Sequence, residues 1–312
     1  MFARRTFYWP LFVLLATVSV ATAEKKTRTV SVAPASPTLA QIDQARAQLK
    51  PLHTPLGKPA PGDWLAAHKE KGQTFTEYRR AHPQRTAPNE RKIYIQPLGA
   101  FSETEQKLID ATADLLGRYY NTEVKRLPII AGLTIPAEAR RKNPYTGGEQ
   151  ILTTYVLEKL LVPQRPKDAA AVLALSATDL WPGEGWNFVF GQALPSERVG
   201  VWSIARYGDP TESDEAYQLC LLRTLKVASH ETGHMYGFDH CTAWACGMNG
   251  SNSAEEMDRG PLAFCPECSA KIWWACQCKP AAWFESLEGF ADKHHLDDQA
   301  AFWKRSRAAL GK

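Results

Sequence analysis

No cysteine occurs before Cys220 in this 312-residue chain; all seven lie from there onward. Everything upstream must therefore fold without disulfides and without thiolate ligands, and any cysteine chemistry is confined to one segment. An excess of charge of one sign is also lacking, with 37 Lys and Arg against 33 Asp and Glu. Two of the positives, Arg4 and Arg5, sit at the extreme N-terminus, and no basic run follows. That balance speaks against a nucleic-acid partner. Past the first 25 residues there is no apolar run long enough to cross a bilayer, and there is no internal repeat.

What is present begins with a tripartite leader. Arg4 and Arg5 form a positive end, Phe7 to Val20 an apolar centre, and Ala21-Thr22-Ala23 a small-residue cleavage site. This predicts a signal peptide over residues 1–23 and a protein exported to the periplasm or secreted. Pro10 and the short apolar run argue against an uncleaved anchor, so no stable membrane span is expected after cleavage. Arg4-Arg5-Thr6-Phe7 also resembles a fragment of a twin-arginine export signal.

Residues 24–91 form a Pro-rich N-terminal extension with few apolar positions, and APASP (33–37) and KPAPGDW (58–64) read as extended chain. One helix is expected at 39–49; the rest reads as a disordered tether. The alternative is a propeptide across an active site, in which only His53, His68 or His82 could reach a metal.

Order is expected from Lys92. KIYIQPLG reads as a strand, and Ser102 with Glu105 is a capping-box start for a helix to about Tyr120 with Leu108, Ala111, Leu115 and Tyr119 on one face. Residues 124–130 read as a strand, 131–148 as a loop, 151–161 as a helix and 169–177 as a buried strand. Residues 187–193 and 198–206 read as a hairpin, followed by a long helix from about Asp214 to Tyr236. Strands alternating with helices predict an α/β (α+β) fold with a mixed sheet.

The long helix carries VASHETGHMYGFDHC, residues 227–241, which contains His230-Glu231-x-x-His234-x-x-Gly237-x-x-His240. Residues four apart share a helical face, so His230 and His234 can present imidazoles to one ion. Gly237 can adopt the left-handed conformation that ends a helix and lets His240 return as a third ligand. Three imidazoles leave tetrahedral zinc one open position, the mark of a catalytic site. Glu231, beside the first ligand, is placed to act as general base on water. The motif is the metzincin form of the zinc-peptidase signature.

Cys241, Cys246, Cys265 and Cys268 follow as C-x4-C and C-x2-C pairs, which can close a four-thiolate structural zinc site; two disulfides are the alternative in an exported protein. Cys220 reads as a buried helix residue, and Cys276 and Cys278 carry no assignment. Met248, eight residues after His240, is placed for the methionine turn that metzincins set beneath their zinc.

The zinc motif, HCTAWACGMNGSN and EEMDRGPLAFCPEC together resemble the archaemetzincins, a metzincin-like zinc metallopeptidase family. KIYIQPLGAF, ATDLWP (177–182) and the 187–206 region are similar to the family's N-terminal half, and residues 62–78 to the segment preceding the domain in longer members. The interval from Met248 to Cys265 is one residue shorter than the family pattern implies. The resemblance implies a two-subdomain peptidase over 92–279 with a long active-site helix and a smaller zinc-knuckle C-terminal subdomain. It further implies His230, His234 and His240 on catalytic zinc, Glu231 as general base, Cys241, Cys246, Cys265 and Cys268 on a second zinc, and Met248 in the turn. The expected activity is hydrolysis of peptide bonds in a peptide or protein substrate, as endo- or aminopeptidase, by a monomer. The alternative is a non-catalytic, zinc-stabilised peptide-binding envelope protein. Residues 280–312 read as a C-terminal extension of two amphipathic helices around His294-His295, with Trp283, Phe284, Phe290 and Phe302 packed on the domain.

Overall fold

The structure, a computed structural model, describes residues 36–81, 83, 85 and 91–311. The expected signal peptide, residues 1–23, and His82 lie outside the described residues. Among the described residues no helix is long and apolar enough to cross a membrane.

Five strands build the main sheet: β1 (Lys92–Leu98), β2 (Val124–Arg126), β5 (Ala169–Ser176), β7 (Gly191–Leu194) and β8 (Val199–Ser203). Their order is β2-β1-β5-β8-β7, parallel except that β7 runs antiparallel to β8. β5 is buried at every position because β1 and β8 flank it and helices cover both faces. A small second sheet joins β3 (Arg140–Lys142), β4 (Glu149–Leu152) and β6 (Asp179–Trp181).

On one face lie α4 (Glu103–Tyr119) and α7 (Asp214–Met235), packed on each other. The predicted capping box is in place: the Ser102 side chain accepts from Glu105 N–H, and the Glu105 carboxylate accepts from Ser102 N–H. Leu108, Ala111, Leu115 and Tyr119 are all buried. The other face is covered by helical turns over 153–164, made of α5 (Thr153–Tyr155), a π-helical turn (Val156–Leu161) and α6 (Val162–Gln164).

The strand expected over 124–130 is shorter in the structure. Leu127 N–H still donates to Ile95, but Pro128 has no N–H to continue the ladder, and contact resumes at the Leu98–Ile130 bridge. The loop expected at 131–148 contains β3, and the helix expected from Ile151 starts later because 149–152 pair as β4.

The tether reading of the N-terminal extension is overturned for its described part. Thr38 caps α1 (Leu39–Leu49) by a capping box with Gln41, as the helix at 39–49 required, and Thr74 caps α3 (Phe75–Arg80) in the same way. Between them lies the single turn α2 (Trp64–Ala67). Ile42, Ala45 and Leu49 lie along one face of α1 and are buried against α9 (Pro266–Ala275) and α11 (Asp297–Leu310). Phe75 and Tyr78 are buried with them. Composition averaged over the segment is polar, but its few apolar residues fall where they can be buried, and burying each large one contributes about 1.5–3 kcal/mol.

α8 (Ala254–Arg259) and α9 carry the segment after α7, and α10 (Pro280–Lys293) pairs with α11. Trp283, Phe284, Phe290 and Trp303 are buried as a C-terminal pair of amphipathic helices requires, while Phe302 is half-buried against the His53 ring. His295 takes a left-handed turn between the two helices, and neither His294 nor His295 belongs to a metal-competent group among the described residues.

Candidate active site

α7 begins at Ser213, whose side chain accepts from Ala216 N–H, and ends where Gly237 takes φ +84°. The chain then reverses and brings His240 back to His230 and His234. One ligand nitrogen from each of the three lies within 4.8 Å of the others.

The hydrogen bonds on the far side of each ring fix which nitrogen is offered. His230 Nδ1 faces Gly247 O at 3.0 Å and His234 Nδ1 faces Phe238 O at 2.7 Å. Carbonyl oxygens only accept, so both Nδ1 atoms carry hydrogen and both Nε2 atoms offer lone pairs. Those two Nε2 atoms stand 2.9 Å apart. Bare lone pairs repel at that separation, and a shared cation turns the repulsion into attraction. Burial, followed by the neighbouring imidazoles, holds His230 well below the usual histidine range and His234 at about 4, so both are neutral as metal ligation requires. The residues present therefore fit a zinc ion.

Glu231 points from the same helix turn and is 8% exposed. Burial alone pushes its carboxyl up to about 8. β7 passes so close that a Cβ on Gly191 would come within 2.9 Å of Glu231 Oε1, so a side chain there would have to displace the Glu231 carboxyl. Glu231, the three histidines and β7 line one cleft of about 970 Å³, together with the exposed Trp186.

Met248 is fully buried under the site. A Cβ on Gly233, inside the zinc motif, would stand 2.5 Å from Met248 Sδ. Gly233→Ala is accordingly expected to cost about 1–3 kcal/mol by overpacking. Thermal unfolding of metal-loaded protein checks this; an unchanged Tm would separate Met248 from the floor of the site.

Cys241, Cys246, Cys265 and Cys268 form a second buried group with all four sulfurs within 4.8 Å. Cys241 and Cys265 Sγ are 3.7 Å apart, and none of the seven cysteines is in a disulfide. A tetrahedral zinc with Zn–S of about 2.3 Å sets its sulfurs about 3.8 Å apart. Cys246 Sγ also accepts N–H groups from Met248 and Cys265, as suits a thiolate. Cys220 lies buried in α7, its thiol pushed up to about 11 by burial; Cys276 and Cys278 are buried apart from the four-sulfur group.

The family model described as peptidase family M54 matches residues 169–273. Archaemetzincin-2 of Homo sapiens is 32% identical over 281 residues, covering 80% of this chain and 78% of that protein. Archaemetzincin-2 of Pongo abelii is 32% identical over 285 residues, with the same two coverages. The chain belongs to the archaemetzincin family. It is a zinc metallopeptidase, and membership favours hydrolysis over the non-catalytic peptide-binding alternative. The solved archaemetzincin of Archaeoglobus fulgidus shares 31% identity over 58% of this chain and 99% of its own, with a TM-score of 0.46.

Two residues at this archaemetzincin site were not singled out by sequence reasoning. Glu70 holds His240 Nδ1 at 2.9 Å from both carboxylate oxygens, and Trp64 lines the cleft with its ring 5.2 Å from that of His240. The one sequence signal for them was the resemblance of 62–78 to the segment preceding the domain in longer archaemetzincins.

Proposed function

We propose that His230, His234 and His240 hold the catalytic zinc, that Glu231 is the general base, and that Cys241, Cys246, Cys265 and Cys268 hold a second, structural zinc. The observation that carries this reading is the convergence of three imidazole nitrogens beside a buried carboxylate, with each Nδ1 engaged from behind. A zinc ion held by His230, His234 and His240 would supply Lewis acidity and make water more acidic. Glu231 would take a proton from the attacking water and return it to the leaving amine.

β7 supplies the groove for an extended peptide. Phe190 O accepts from Ser203 N–H, so Gln192 and Leu194 pair toward β8 while Gly191 and Ala193 turn their N–H and C=O groups outward. β7 is the last strand of its sheet, and these outward groups match the backbone of an added strand. The substrate is therefore an unfolded peptide segment rather than a folded surface. The leader at 1–23 supports export to the periplasm or beyond, and the near-neutral charge supports a peptide rather than nucleic-acid partner. A cleft lined within one chain supports action as a monomer.

Elemental analysis of the mature protein tests the metal assignment. The wild type is expected to hold two zinc ions per chain and the double variant His230→Ala/His234→Ala one. Equal zinc in both would remove the histidine site.

A further inference from the structure

His230 and His234 are backed by carbonyls of the catalytic fold, but His240 is not. It stands on irregular chain beyond Gly237, and its Nδ1 meets Glu70, on the connection between α2 and α3. Glu70 is itself fixed: Trp64 Nε1 donates to its Oε1 at 2.9 Å. Trp64 in turn donates from its backbone N–H to the Glu256 carboxylate, and its ring fills the space a Gly250 side chain would need.

The same segment grips the chain on either side of His240. Tyr78 Oη donates to Tyr236 O, Gln73 Nε2 to Gly237 O, and Thr242 Oγ1 to Lys71 O. The hairpin that returns the third histidine is thus held on its outer side by residues 64–78.

We infer that Glu70 is a positioning residue for His240 and that residues 64–78 complete the catalytic metal site. The inference rests on the histidine zinc site proposed above. A carboxylate accepting from Nδ1–H fixes the tautomer and aims the Nε2 lone pair inward. The His240 and Glu70 side chains are 16% and 28% exposed, so salt screens the contact only in part. Residues 64–78 are therefore part of the metal centre.

The test uses the mature full-length chain, wild type, Glu70→Ala and Glu70→Gln, with zinc removal from each site followed by competition with a chromophoric chelator. His230→Ala identifies which zinc belongs to the histidines, and the four-thiolate zinc serves as the internal control. Glu70→Ala is expected to weaken the histidine-site zinc by about 10–100-fold and to leave the thiolate-site zinc unchanged. Glu70→Gln, which keeps an acceptor but loses the charge, is expected to fall between. Wild-type affinity at the histidine site in Glu70→Ala would overturn the inference. Should Glu70→Ala lose both metals by unfolding, Glu70→Gln decides: selective weakening at the histidine site supports the role, and wild-type affinity overturns it. A wild type whose zinc is indifferent to His230→Ala would instead overturn the histidine site, and this inference with it.

Discussion

Glu231→Ala is expected to lower kcat/KM on an unstructured peptide by about two to four orders of magnitude, the usual span for loss of a general base. Zinc content and unfolding temperature should stay near wild type, because the substitution removes no ligand. The expectation comes from where Glu231 is held. It follows His230 by one position on α7, so its side chain enters the cleft beside the histidine nitrogens rather than on the opposite helix face. Gly191 on β7 lies against it without a Cβ to displace it, and that same strand offers the edge along which a peptide would lie. A carboxyl whose burial favours the protonated form accepts a proton readily and stays able to hand it on. Glu231→Gln, which keeps the shape, should fall as far as Glu231→Ala. Turnover at wild-type rate in either variant, measured with the zinc content confirmed, would remove Glu231 from the chemistry.

Local patterns carried most of the fold. The alternation and capping signals placed α4, β5 and α7 because each is set by a few neighbours: a Ser102–Glu105 box, a run buried on both faces, a Gly237 stop. The histidine and cysteine groups were legible for the same reason, since fixed spacing on α7 and past its Gly237 stop, and within each of two cysteine pairs, decides much of their geometry. What sequence reasoning could not reach depended on partners far along the chain. α1 and α3 are held through Ile42, Leu49, Phe75 and Tyr78 against helices about two hundred residues later, and their polar surroundings hid this. Glu70 is a single charged residue in a polar stretch, and only the return of His240 beside it gives it a role. Lys271 shows the same dependence: it is fully buried in α9, with its ammonium near the rings of Tyr78 and Phe238. One of those rings comes from the N-terminal segment, which is a reason to regard that segment as part of the folded unit.

Cys265→Ser is expected to have a larger effect than any histidine substitution, with both zinc ions lost where His230→Ala loses one. The asymmetry follows from connectivity. Cys241 is the residue after His240, so the anchor of the sulfur group and the third imidazole share one stretch of backbone. Cys241 N–H donates to Met248 O and Cys246 N–H to the Asn249 side chain, which ties the methionine turn to the same knuckle. On the far side, Cys265 occupies the N-cap position of α9 and Cys268 lies in its first turn. Burial pushes the Cys246 and Cys265 thiols upward, and a divalent cation reverses that preference for the protonated form. Removing one sulfur should then release the cation and leave three buried thiols with no partner of matching geometry. Structural zinc contributes about 10–16 kcal/mol in small zinc-binding folds, as much as a domain's whole net stability. Thermal unfolding of Cys265→Ser should accordingly show a collapsed or absent transition, and His230→Ala one close to wild type. The decisive readout is zinc per chain together with thiol reactivity. Two zincs with an unchanged transition in Cys265→Ser, or cysteines recovered as two disulfides in the wild type, would leave the histidine site standing and remove the sulfur site.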